Sequence, residues 1–120
     1  MDRPIAPNEI EVVNWLLDHA SVDAEAYRVR PVEDLRVVGG CGCGCTSLDF
    51  KPRERREGKA VRIADELALY PDGQRAGLIL WGRNGEIASL EIYDFDPGSS
   101  HRFPEVGNLC TWEEMGRRSG

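Results

Sequence analysis

Three cysteines within five residues, Cys41-Gly42-Cys43-Gly44-Cys45, are the residues of this chain whose type and spacing could do chemistry. Thiolates bind zinc at about 2.3 Å, so sulfurs in one tetrahedral shell lie roughly 3.8 Å apart. On a regular strand, cysteines at i and i+2 have Cα atoms about 6.7 Å apart, twice the rise per residue. An extended strand therefore chelates poorly, and Gly42 and Gly44 are what would let the chain curl, because glycine accepts backbone angles other residues avoid. The spacing is not the Cys-x-x-Cys of most zinc and iron–sulfur sites. On the metal reading the ligands are Cys41, Cys43, Cys45 and Cys110, with zinc as the cofactor and His19 or His101 able to replace Cys110.

Two other readings stay open. A Cys-Gly-Cys bridge would sit at the upper edge of disulfide geometry, and strained bridges are the reducible ones, which suits a redox pair. Alternatively, cysteine is a small hydrophobe, and alternating Cys and Gly make a strand of small residues packed under a helix.

The remaining candidates are less specific. Glu91, Asp94 and Asp96 cluster near Asp65 and Glu66 in order of strands, and paired carboxylates can bind a divalent cation or do acid–base work. Polar residues on the wet face of an antiparallel sheet explain them equally well. Lys51, Arg53, Arg55, Arg56, Lys59 and Arg62 form a basic stretch interrupted by Glu54 and Glu57, which reads as a solvated loop. The chain has no G-x-S-x-G, no H-E-x-x-H and no phosphate-cradling loop, since no Lys-Ser/Thr follows Gly39–Gly44. Trp15, Trp81 and Trp112 divide between core and surface: Trp15 and Trp81 are expected to fill the core, and Trp112 suits an interface.

Around these residues the elements alternate in period. Asn8 is a candidate N-cap, Glu9 and Glu11 place negative charge in the first turn, and Ile10, Val13, Leu17 and Ala20 recur at helical spacing, so residues 8–20 are expected to be helical. A further turn or two is expected at 22–28, before Pro31. Residues 35–50 alternate as one strand, with Leu35, Val37 and the three cysteines on one face and Val38, Leu48 and Phe50 on the other. Its glycines point to a bulge or bend. Val61, Ile63, Leu67 and Leu69 mark a strand near 60–70, and Pro71-Asp72-Gly73 a turn. The runs 76–81 and 87–95 flank Gly82-Arg83-Asn84-Gly85-Glu86, and Asn-Gly between such runs is a hairpin signal. Residues 96–107 read as loop, 109–112 as a short packed segment and 116–120 as a loose tail.

The hairpin Leu78-Ile79-Leu80-Trp81 through Ile87-Ala88-Ser89-Leu90-Glu91-Ile92 resembles a motif in several small bacterial protein families of unknown function. In these an apolar strand, an Asn/Asp-Gly turn and a returning apolar-Glu-apolar strand recur. The resemblance covers about 20 of the 120 residues, excludes the cysteines and implies no particular activity.

A helix followed by strands at hairpin spacing predicts an α+β fold: an N-terminal helix packed on a mainly antiparallel sheet of about four strands, forming a single domain over 1–120. A net charge of −6 and a sequence pI of about 4.9 argue against nucleic acid and suit a basic protein partner. No apolar run is long enough for a membrane span, and the acidic start after Met1 is unlike a signal peptide, so a cytoplasmic location is expected. The function expected on these grounds is a small non-enzymatic interaction or accessory protein. The alternative is a thiol-based metal-binding or redox site at the cysteine cluster.

Overall fold

The structure, a computed structural model, describes residues 2–28, 31–40, 47–51, 58–95 and 102–119. Helix α1 runs from Pro7 to Asp18, with Pro7 pre-setting the first turn and Val12, Val13, Leu16 and Leu17 buried on one stripe. The N-cap is Ala6, not Asn8, which lies inside the first turn. Ala6 has no side-chain acceptor, so only the returning half of a capping box forms: the Ala6 N–H donates to Glu9 Oε1 at 2.8 Å. The same carboxylate takes two bonds from Arg3, at 2.9 and 2.8 Å, and so ties the chain start to the helix. Glu9 is only 6% exposed.

The strands are β1 (Arg3–Pro4), β2 (Arg36–Gly40), β3 (Leu48–Phe50), β4 (Val61–Leu69), β5 (Arg75–Arg83), β6 (Glu86–Asp94) and β7 (Leu109–Cys110). They form one sheet in the order β1-β2-β3-β6-β5-β4-β7, and every pairing is antiparallel. The α+β class holds, but the sheet has seven strands where about four were expected. The three extra, β1, β3 and β7, are two or three residues long, too short to carry a period of their own. Two 3-10 turns, Ala24–Tyr27 and Val32–Asp34, connect α1 to β2.

The stretch 35–50 is two strands, not one. Gly40 pairs with Leu48 and Val37 with Phe50, and a bulge at Val38 shifts the register. Leu35, Val37, Leu48 and Phe50 are therefore buried in the same core, whereas parity counted along a single strand put Leu48 and Phe50 on the opposite face. In β4 a bulge between Arg62 and Ala64 turns both Ile63 and Ala64 into that core, and leaves Leu67 outside it.

Both hairpins form as expected. Tyr70 and Gln74 close over Pro71-Asp72-Gly73, with Gly73 at φ 88°. Asn84 and Gly85 take φ 55° and 76°, the positive pair a two-residue primed turn requires.

The tail expected at 116–120 is instead helical through Ser119, in α2 (Trp112–Ser119). Its start is a full capping box: Glu114 N–H donates to Thr111 Oγ1 at 3.0 Å, and Thr111 N–H to Glu114 Oε1 at 3.4 Å. Among the described residues, no helix is long and apolar enough to cross a membrane.

Burial alone would raise the Glu9 pKa, but the bonds from Arg3 and Ala6 outweigh it and hold the carboxyl below its ordinary 4.5. A group held low stabilises the fold fully above its unfolded pKa and loses that contribution as the pH falls through its folded value. Glu9→Ala should cost about 2 kcal/mol and Glu9→Gln, which keeps the capping acceptor, about 1 kcal/mol, with half-exposed Arg3 limiting both. In urea unfolding, the gap between wild type and Glu9→Gln should be full at pH 7 and shrink on acidification below pH 4.5.

Candidate functional site

The register leaves one sheet face turned away from α1. It carries Arg62, Asp65 and Leu67 from β4, Gly77, Ile79 and Trp81 from β5, and Ser89, Glu91 and Tyr93 from β6. Leu67, Ile79 and Cys110 are buried yet stand apart from the core under α1, so this face has its own cover. The cover is aromatic. Tyr93 lies flat across Gly77, where an added Cβ would fall 2.0 Å from the ring. Phe95 packs on Tyr93 at a ring separation of 5.8 Å and stacks on Trp112 at 5.7 Å. Trp112, at the start of α2, is 44% exposed, among the most exposed large apolar side chains described.

Polar groups fix these rings by their edges. The Trp81 indole N–H donates to Glu91 Oε1 at 3.0 Å and the Trp112 indole N–H to Asp65 Oδ1 at 3.2 Å. The Arg62 guanidinium sits 5.6 Å above Trp81 and pairs with Asp65 at 3.6 Å, and Arg75 lies 5.6 Å from the Phe95 ring. Burial, then the negative charges of Asp65 and Glu91, push the Tyr93 phenol above its ordinary 10, against a smaller opposing effect of Arg62. The phenol therefore stays protonated at physiological pH.

Among the described residues, the carboxylates of the expected site do not gather in one cluster. Asp65 and Glu91 share this face as the cross-strand neighbours of Ile79, and each is engaged by an indole. Glu66 follows Asp65 along the strand and so turns to the other face. Burial raises its pKa, opposed by the Trp112 backbone N–H and His19 and reinforced by Asp65 and Glu114. Asp94 pairs with Ala76 at the end of β6, and Asp96 lies outside the described residues.

Cys41, Cys43, Cys45 and His101 also lie outside the described residues, as do Arg53, Arg55 and Arg56. Cys110 is buried in β7, with β6, β5 and β4 standing between it and β3. His19 closes α1, its ring stacked 3.9 Å from Trp15 and its Nδ1 2.7 Å from the Trp15 carbonyl oxygen. Among the described residues, no three His, Cys, Asp or Glu side chains are grouped to hold a metal. Trp15 packs against the core as expected, but Trp81 does not: it stands on the opposite, aromatic face.

A cavity of about 290 Å³ lies away from this face, lined by Ala26, Tyr27, Leu35, Lys51, Gly85, Glu86 and Ile87. Comparison of the chain with protein-family models, with curated proteins and with solved structures found no match. The reading of the site therefore rests on its geometry.

Gly77→Ala should displace the Tyr93 ring and cost about 1–3 kcal/mol, as overpacking does, visible in urea unfolding and in a weakened near-ultraviolet tyrosine signal. In an ultraviolet titration the Tyr93 phenol should ionise above the ordinary 10 in the wild type, and closer to it in the Asp65→Asn, Glu91→Gln double variant.

Proposed function

We propose that this protein is a non-enzymatic cytoplasmic interaction domain that docks a basic protein partner on the aromatic face of its sheet. The observation that carries the reading is the gathering of Trp81, Tyr93 and Trp112, with Arg62 and Arg75, on a face that α1 leaves uncovered. Trp, Tyr and Arg are the residue types that dominate binding energy at protein interfaces. The two indole donors are already satisfied by Asp65 and Glu91, so docking there does not strand an indole N–H. The rings are braced by neighbours, which lowers the entropy lost on binding. The partner's sign follows from the net charge of −6, which steers basic surfaces toward the chain and repels nucleic acid. The two carboxylates of the face, Asp65 and Glu91, are each engaged in holding an indole, which supports binding over catalysis.

Benzoylphenylalanine placed at position 112, and separately at exposed Glu11 on α1, tests the reading by photo-crosslinking in cells. A discrete adduct should form from position 112 only, weaken as salt rises, and be competed by added wild-type protein but about tenfold less well by the Trp112→Ala variant. No adduct, or equal adducts from both positions, would overturn it.

A further inference from the structure

The cavity of about 290 Å³ is lined by apolar and charged residues. Leu35, Ile87 and Ala26 supply the apolar walls. The Tyr27 ring forms another wall and is seated by Gly82, where an added Cβ would lie 2.6 Å from it. Lys51 and Glu86 are the charged residues of the lining. The Lys51 ammonium also bonds Asp2 Oδ2 at 3.3 Å, while Asp2 Oδ1 takes the Arg36 Nε–H at 2.8 Å. Arg36 and Lys51 are held side by side by the ladder, the Lys51 N–H donating to the Arg36 carbonyl at 2.9 Å. The Asp2 carboxylate thus already rests on the ammonium of a residue that lines the cavity.

We propose that this cavity binds a small monocarboxylate with an apolar body, whose carboxylate takes Lys51 from Asp2. The volume sits at the lower end of small-molecule sites, which suits a single ring or a short chain. The apolar walls take the body out of water and Lys51 fixes its charged end. Asp2, Arg36 and Lys51 are all substantially exposed, so the internal ion pairs are weak, screened by salt and readily exchanged for an incoming carboxylate. Lys51 is the one cationic residue among the described lining, so a second anionic group meets no cation there and a monoanion is selected over a dianion. The Asp2 carboxyl is held below its ordinary range first by the Arg36 bond and then by Lys51, as expected where cations are arranged to receive a carboxylate.

The test is an amide chemical-shift titration of the full chain with 3-phenylpropionate, its neutral amide and the dianion phenylsuccinate. Phenylpropionate should saturably shift the Gly85, Glu86 and Ile87 amides, and bind more tightly than the other two. Lys51→Met, at an exposed position that leaves the remaining spectrum unchanged, should weaken it about five- to tenfold, the worth of an exposed charge-assisted bond. Asp2→Asn should tighten it about two- to fivefold by removing the internal competitor. No saturable shift at these amides, an equal response to the neutral amide, or unchanged affinity in Lys51→Met would each overturn the proposal.

Discussion

Three nine-residue strands, β4, β5 and β6, have two faces to keep from water, and a helix of twelve residues is what the chain sets against one of them. Such a helix is about 18 Å long and about 10 Å across, whereas seven strands side by side span roughly 29 Å. α1 therefore shelters part of one face, through Val12, Val13, Leu16 and Leu17, and leaves the other to side chains. Tyr93, Phe95 and Trp112 cover it, and Gly77 is the vacancy that lets Tyr93 lie flat. The aromatic cluster is thus first a solution to a coverage problem. The docking role we propose for it draws on the fact that rings are apolar, rigid and only half withdrawn from water.

The same economy governs charge. An acidic chain repels itself, and its carboxylates near the sheet are put to use as acceptors. Glu9 joins β1 to α1, Asp2 spans Arg36 and Lys51, and Asp65 and Glu91 hold two indoles. The contacts differ in weight according to burial. Glu9 is withdrawn from water and its bonds count toward stability, whereas the Asp2 pairs are exposed and exchangeable. That difference separates a structural tie from a place where a ligand can compete.

Local chemistry was legible wherever the cause of an element lies within a few residues. Asn84-Gly85 needs two positive φ angles, and the hairpin formed at those residues. The stripe Val13, Leu16 and Leu17 placed α1 to within two residues, although the cap fell to Glu9 reaching back to Ala6 and not to Asn8. The helix α2 was also legible: Thr111-Trp112-Glu113-Glu114 is a Ser/Thr-x-x-Glu box, but no apolar run follows it to draw the eye. Cys41-Gly42-Cys43-Gly44-Cys45 stood out in the sequence and lies outside the described residues; among those described, the side chains gathered on the face away from α1 are aromatic and come from β5, β6 and the start of α2.

The sequence by itself determined the α+β class, the antiparallel hairpins, the helix that covers the core and the net charge of −6. Each of these follows from periodicity, turn chemistry or composition, which are properties of neighbouring residues. Only the tertiary structure decided the seven-strand order, the bulges at Val38 and Ile63 that reset which residues face inward, and the meeting of Asp65 with Trp112, of Trp81 with Glu91 and of Asp2 with Lys51. Those depend on register between strands far apart in the chain. A shift of one residue there moves a side chain to the other face, and no local pattern records it.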